Sequence, residues 1–516
     1  MKVVTAEQMK EIDRRAQQAG VPVLELMENA GRAVFEQARR ILKVPEGRRI
    51  AVVCGKGNNG GDGLVAARYL HNWGAEVIVL MAARSQELQG EPRENLELAA
   101  QMGLTLNENV GPERVLEECR RADLVIDALL GTGVRGEVKG AAAEIIGAIN
   151  RAGRPVLAVD IPSGMDADRG EPAGTAVRAD YTVTMGLPKW GLLVGAGAEY
   201  AGELTIADIG FPAEVVAAVA AEADMLTDAE AGALLPRRAR DTHKGDVGRV
   251  LAIAGSVGYT GAAALCSLAA LRMGAGLVTL AVPASLNDIM EVKVTEVITR
   301  PMPETPARSL AASAEEPLLE LAAGSDVIMI GPGLSLNAAT TALVRRLVAK
   351  IKSPMVIDAD GLTALSEEMS VLEGPHAPIL LTPHPGEMAR LMKLETGQVQ
   401  RQRAEFCRQL ASRISGVVVL KGAGTLIADT AGKLRINRTG NPGMASGGTG
   451  DVLTGMIGGL LAQGLAPFDA AGVAVYLHGL AGDLAAAEKG ELGLIASDLL
   501  EKIPAATQRV LGRKQD

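Results

Sequence analysis

Aromatic residues are scarce in this chain: they make up 2% of it, with 2 Trp, 5 Tyr and 4 Phe. That leaves little from which to build the stacking platforms that bind single-stranded nucleic acid. Positive charge is not in excess either, since 52 basic residues face 61 acidic ones for a net charge of −9. Nonspecific attachment to nucleic acid or to an anionic membrane is therefore disfavoured, although a local basic pocket is still allowed. Cys54, Cys119, Cys266 and Cys407 are scattered without a C-x-x-C pair. This pattern suits reduced, mostly buried thiols rather than a disulfide framework. The N-terminus carries charge early and has no apolar h-region. No apolar run approaches the length of a membrane span. Together these absences predict a soluble, cytoplasmic protein with no nucleic-acid or membrane partner.

What is plentiful is small and aliphatic. Of 516 residues, 48% are hydrophobic, and 61 are Gly, well above the usual share of about 7%. The glycine excess fits many tight strand-to-helix turns, because periodic apolar segments run throughout. A chain of this length exceeds one ordinary core.

Two series of short Val/Ile/Leu runs alternate with helical patterns. The first series has candidate strands at 50–54, 77–80, 124–127, 156–160 and 181–184, with a helix at 64–73 among the intervening segments. The second has strands at 250–253, 277–282, 327–330, 355–358, 379–381 and 417–420, then a hairpin at 425–428 and 433–436. Continuous apolar strands with intervening helices imply parallel sheets covered on both faces. Between the series, residues 211–241 turn Ala- and Glu-rich and end in Pro236-Arg-Arg-Ala-Arg240. A boundary near residue 225 is expected there; the alternative is a long surface helix inside one domain. The fold class is α/β, with domains 1–225 and 226–516.

The most telling stretch is Asn441-Pro-Gly-Met-Ala-Ser-Gly-Gly-Thr-Gly-Asp451, followed by an apolar segment at 452–461 that reads as a helix. A glycine-rich loop entering a helix aims bare N–H groups at an anion. Asp451, at the helix mouth, would take a proton from a bound hydroxyl, so the pair points to phosphoryl transfer to an alcohol. The plainer alternative makes Asp451 a helix N-cap.

Open parallel sheets bind ligands beyond the carboxyl ends of their strands. Further unusual loops fall there: 255–261, 331–333, 358–361, Thr382-Pro-His-Pro-Gly-Glu387 and Lys421-Gly-Ala-Gly-Thr425. His384 is functional or structural, and Lys421 either neutralises phosphate or is an exposed loop lysine. In the first series, Cys54-Gly-Lys-Gly-Asn-Asn-Gly-Gly-Asp-Gly63 contains G-x-G-x-x-G. Its Asn-Asn pair, Asp62 and the non-acidic end of the next strand disfavour an ordinary NAD-dependent dehydrogenase. Lys56 is not followed by Ser or Thr as a Walker A motif requires. Asp127 and Asp160 end two strands; Asp160 is either an acid/base group or a loop staple.

These motifs resemble a known family. Leu26-Met-Glu-Asn-Ala-Gly31, residues 55–63 and Asp160-Ile-Pro-Ser-Gly164 are similar to the epimerase module of the NAD(P)H-hydrate repair enzymes. His243-Lys-Gly245, Gly258-Tyr-Thr-Gly-Ala-Ala263, residues 382–387 and 441–451 resemble their dehydratase module. The resemblance implies tandem three-layer domains: a Rossmann-like epimerase over 1–225 and a ribokinase-like dehydratase over 226–516. The first would interconvert R and S hydrates of NADH and NADPH, and the second would dehydrate the S form with ADP as phosphoryl donor. It implies that Lys421, Gly422, Ala423, Gly424, Thr425 and Gly450 line the ADP site, and that Ala263, Gly333, His384 and Asp451 face the hydrate. In the first module Asn58, Asn59, Gly60, Gly61, Asp62, Gly131, Thr132, Gly133, Val134, Arg135, Gly136, Glu137 and Asp160 would surround the substrate. Asn59, Asp127 and Ser163 would hold K+, whose hardness suits oxygen ligands. Asp451 and Asp160 are the expected catalytic residues, Mg2+ and K+ the expected ions, and a homo-oligomer the expected assembly. The rival reading is an ATP-dependent small-alcohol kinase with a non-catalytic N-terminal binding module.

Overall fold

A computed structural model describes residues 1–373 and 377–512. The chain divides into two compact units, Met1–Ala223 and Asp224–Asp516. Residues 211–241 are not one long helix. They break into short helices, Ala213–Ala218 and Asp228–Leu234, the second started by a Thr227/Glu230 capping box, a device that typically stabilises a helix by about 1 kcal/mol.

The first unit is a seven-stranded sheet. Its strands run in the order Thr105–Asn107, Glu76–Met81, Arg49–Cys54, Leu124–Ala128, Val156–Val159, Tyr181–Met185 and Glu203–Ala207, and every pairing is parallel. Side chains alternate across a strand. Ile50, Val52 and Cys54 therefore enter one apolar core with the helix Asn58–Trp73, while Ala51 and Val53 enter another with the helix Gly140–Arg151. Both faces are dry, which is why these strands read as unbroken apolar runs. Each buried Val or Ile is worth about 1.5–3 kcal/mol of transfer free energy. This is the Rossmann-like architecture.

In the second unit the parallel strands are Ile298–Met302, Leu277–Pro283, Arg249–Ile253, Val327–Ile330, Met355–Ile357, Ile379–Leu381 and Val417–Leu420 in spatial order. The antiparallel strands Leu426–Ala428 and Leu434–Ile436 extend that sheet. This is the ribokinase-like architecture. Thr260–Arg272, Thr449–Ala462 and Pro467–Lys489 share its core, and the first two close on each other through small residues: a Cβ on Gly455 would lie 2.1 Å from the Cys266 carbonyl oxygen. The expectation of no span-length apolar run needs correction. Pro467–Lys489, with a mean hydropathy of 1.3, is long and apolar enough to cross a membrane by length and composition, and 67% of its apolar window is buried within the protein. All four cysteines are buried and free.

Candidate functional site

In the first unit the strand order reverses between Arg49–Cys54 and Leu124–Ala128, whose following helices go to opposite faces. Their loops part there and leave a crevice, as expected at such a switch point. The glycines let the chain pass closely: a Cβ on Gly55 would lie 2.0 Å from the Leu129 carbonyl oxygen, and one on Gly60 2.0 Å from that of Gly55. The result is a cavity of about 700 Å³, lined in part by Asn58, Asn59, Asp62, Gly131, Thr132, Gly133, Val134 and Asp160. Gly60 and Gly61 are buried behind it, where Gly61 faces the Met27 side chain. Arg135, Gly136 and Glu137 line a neighbouring cavity that shares Thr132 and Val134 with the first.

Asp160 has φ +64, a left-handed conformation that a residue with a side chain adopts at a cost of roughly 1–3 kcal/mol. Its Oδ1 accepts from Lys189 Nζ (2.5 Å), Thr184 Oγ1 (3.2 Å) and the Met185 N–H (3.0 Å). All three of these donors fall on Oδ1. Lys189 is 1% exposed and is satisfied by Asp160, Thr184 and the Met185 carbonyl. Lys189 and Asp13 also line the cavity, and neither is conspicuous in the sequence. Burial, reinforced by Asp160 and opposed by Lys189, pushes the Asp13 carboxyl up to about 6. Burial, with Asp160 and Asp13 adding, holds Asp62 well above the ordinary carboxylate range. The cavity thus combines the buried Lys189 with two carboxyls, Asp13 and Asp62, whose hold on a proton burial strengthens.

Asn59, Asp127 and Ser163 meet around Leu130. Ser163 Oγ donates to Asp127 Oδ1 (2.6 Å), the Ser163 N–H to Asp127 Oδ2 (2.8 Å), and Asn59 Nδ2 to the Leu130 carbonyl (3.1 Å). Asn59 Oδ1 is buried without a hydrogen-bond partner. An orphaned oxygen beside a buried carboxylate is a donor set fit for a hard monovalent cation.

In the second unit Gly448, with φ +96, caps the helix Thr449–Ala462, so Asp451 is not the N-cap but lies in the first turn. Among the described residues its carboxylate has no hydrogen-bond partner. Burial, with Asp358 and Asp360 adding and Lys421 opposing, raises it to about 7. Lys421 closes the strand Val417–Leu420 and donates to Asp358 Oδ1 (2.7 Å), while Thr454 Oγ1 donates to Asp358 Oδ2 (2.8 Å). A Cβ built on Gly450 would stand 3.4 Å from Lys421 Nζ, so the lysine loop and the helix mouth converge. Burial disfavours the Lys421 ammonium, but Asp358 and Glu387 outweigh it and raise its pKa. The 421–425 loop turns through Gly422 (φ +129) and Gly424 (φ +62). Arg403 fastens it to the main-chain oxygens of Leu420, Lys421 and Gly424, and Thr425 Oγ1 donates to the Gly422 carbonyl; Ala423 is exposed.

His384 caps the helix Pro385–Met392: its Nδ1 accepts from the N–H groups of Gly386 (3.0 Å) and Glu387 (3.3 Å). Burial, then Lys421 and Arg390, lowers its pKa, consistent with a neutral imidazole. Gly333 (φ +61) abuts Tyr259, and its carbonyl accepts from Ser256 Oγ. Ala263 is fully buried beneath Gly255. The sequence reading gave no role to Asp358, although the 358–361 loop is visible as a polar strand end.

Parallel α/β units with polar clusters at the carboxyl ends of their strands, the second on a ribokinase-like sheet, define a two-module enzyme of small-molecule metabolism. Comparison with known proteins narrows this class. Residues 250–505 match the family model described as NAD(P)H-hydrate dehydratase, and residues 23–191 that of the YjeF-related protein N-terminus. The bifunctional NAD(P)H-hydrate repair enzyme of Moorella thermoacetica is 48% identical over 509 residues, covering 98% of this chain and 96% of that one. The enzyme of the same name from Coxiella burnetii is 41% identical over 493 residues, covering 95% and 96%. Among solved structures, the ADP/ATP-dependent NAD(P)H-hydrate dehydratase of Bacillus subtilis, co-crystallised with ATP/Mg2+, is 32% identical with a TM-score of 0.49 and covers 56% of this chain and 100% of that one. The chain belongs to the family of bifunctional NAD(P)H-hydrate repair enzymes.

Proposed function

We propose that the chain restores hydrated NADH and NADPH in two stages, the unit Met1–Ala223 interconverting R and S hydrates and the unit Asp224–Asp516 dehydrating the S form at the expense of ADP. Hydroxide is a poor leaving group. Asp451 takes the proton of the ring hydroxyl while that oxygen attacks the terminal phosphoryl group of ADP, releasing AMP. The C–O bond of the resulting phosphate ester then breaks, phosphate leaves with the bonding pair, and the adjacent ring carbon gives up a proton to solvent as the ring double bond re-forms. The N–H groups around Gly448, Thr449 and Gly450 hold the transferring phosphoryl, and Lys421 balances its charge. The observation that carries this reading is the convergence of Lys421 on Gly450 beside a carboxylate raised to about 7, a value suited to general-base work at neutral pH. Gly422 to Thr425 complete the nucleotide site, with Gly333, Ala263 and His384 on the hydrate side.

In the first unit Asp160 moves the substrate proton, with Asn58 to Asp62 and Gly131 to Glu137 surrounding the hydrate. K+ would sit among Asn59, Asp127 and Ser163, with Asn59 Oδ1 as the oxygen that needs it, and would fix the loop while neutralising local charge. No group of three or more His, Cys, Asp or Glu among the described residues is arranged for a cation. Mg2+ would therefore be held chiefly by nucleotide phosphates and would screen their charge. A cytoplasmic homo-oligomer completes the reading.

The test mixes both hydrate epimers with ADP and follows reduced-nicotinamide absorbance. Complete conversion is expected. A halt at the S fraction would mean a first unit without epimerase activity, and a stable phosphate ester would establish the kinase alternative instead.

A further inference from the structure

The helix Pro467–Lys489 carries a row of groups matched to the glycine-rich loop from end to end. At the loop's entry, Thr439 Oγ1 donates to the Tyr476 carbonyl (2.7 Å), and the Asp483 carboxylate accepts from the Gly440 N–H (2.9 Å) and Asn441 Nδ2 (3.0 Å). In the middle the helix is bare: a Cβ on Gly479 would lie 2.3 Å from Thr439 Oγ1, and one on Gly482 2.4 Å from Met444 Sδ. At the exit, His478 Nε2 lies 2.9 Å from the Thr449 carbonyl oxygen.

A carbonyl oxygen can only accept, so Nε2 carries the proton. Burial, with Lys421 adding and the Thr449 bond opposing, lowers His478 to about 4. Its imidazole is therefore neutral near pH 7 and locked in the Nε2–H tautomer. The Thr449–Gly450 peptide is trans, as are all peptides of the described residues. In a planar trans peptide the C=O of one residue and the N–H of the next point in opposite directions. A hand on the Thr449 carbonyl is thus a hand on the Gly450 N–H.

We propose that His478 is a positioning residue for phosphoryl transfer, holding the plane of the Thr449–Gly450 peptide so that the Gly450 N–H aims at the transferring group. Asp483 steadies the loop's entry in the same way. The inference rests on the phosphoryl-transfer reading given above. A buried histidine that only filled space would need no N–H at this place, and that difference is what an experiment can read.

In the full-length protein, His478→Met removes the donor at similar volume, and His478→Gln keeps an N–H at similar reach. Losing one oxyanion donor outright typically costs about 10²–10³-fold in kcat, and tilting one costs less. His478→Met is therefore expected to lower dehydration kcat about 10–100-fold, with the KM for hydrate within about twofold. His478→Gln should return to within about fivefold of the parent, and both variants should epimerise normally. A Met variant within about twofold of the parent kcat, or a loss that Gln does not recover, overturns the proposal. Should the Met variant not fold, His478→Asn replaces it, because its N–H is too short to reach. Gln faster than Asn by about fivefold supports the proposal, and equal rates overturn it. Asp451→Asn, assayed alongside, separates the two claims. Normal dehydration in that variant defeats the phosphoryl-transfer reading itself. An inactive Asp451→Asn beside a fast His478→Met defeats only the positioning role.

Discussion

The two units obey the same rule of sheet architecture and fill the resulting space with opposite chemistry. At the switch point of the first, the chemistry resides in side chains: Asp13, Asp62 and Asp160 around a buried Lys189. In the second, the loop at the helix mouth presents main chain, with Asp451 as its acid and Lys421 held nearby by Asp358. A parallel sheet thus decides where a site forms, and the loops decide what it does. An epimerase has to move protons at a carbon centre, which asks for side-chain acids and bases. A phosphoryl-transferring dehydratase has to hold a diffuse trianionic charge, which asks for amides that cost no reorganisation.

Removing one charged group from each unit tests that contrast most sharply. Asp451→Asn should cut dehydration by about 10²–10⁴-fold, the usual worth of a general base, and leave epimerisation untouched. Stopped-flow recovery of nicotinamide absorbance from the S hydrate measures it, and near-normal dehydration would break the assignment. Lys189→Met should slow epimerisation by about 10–100-fold without affecting dehydration, because Asp160 loses the one charged donor among the three that hold it. Removing one partner of a buried pair also costs about 3–5 kcal/mol of stability. Lys189→Met combined with Asp160→Asn should regain much of that stability in denaturant titrations while epimerisation stays low. If the double variant epimerises normally, the pair is structural only.

Smaller in effect are the consequences of Asp451's raised acidity constant. Dehydration kcat should climb as pH rises through about 7, a limb that epimerisation should not share. The same shift acts on stability with a definite sign. Between the ordinary carboxylate range and pH 7 the folded protein holds a proton that the unfolded chain has released. Stability contributed by the protonated carboxyl is therefore present at low pH and lost as pH rises towards 7. Asp451→Asn should raise the melting temperature, by an amount that grows from about pH 4 to about pH 7 and then levels off. A constant difference across that range would contradict the shift.

The interior of both sheets was legible because both faces of those strands are dry. Three of the strands that sequence reading missed, Thr105–Asn107, Glu203–Ala207 and Ile298–Met302, are sheet edges. An edge strand is half-solvated and carries Thr, Asn, Glu or Arg where an interior strand carries Val, so it shows no continuous apolar signal. The glycine loops and Asp451 announced themselves because backbone exposure requires glycine at particular places. Lys189 did not, since its partner Asp160 is 29 residues away in the chain and nothing local marks a lysine as buried. His478 sits mid-helix among alanines and leucines, and only the fold reveals that the loop it holds is 29 residues distant. His384 shows the converse: its proline-flanked setting left a functional and a structural reading both open, and the side chain caps a helix.

The buried cysteines have a further consequence. Burial pushes Cys119 and Cys407 up to about 12, and drives Cys54 and Cys266 the same way. Near neutral pH almost no thiolate exists to attack peroxide or glutathione disulfide. Oxidation or disulfide exchange at these four positions would first require the surrounding core to open.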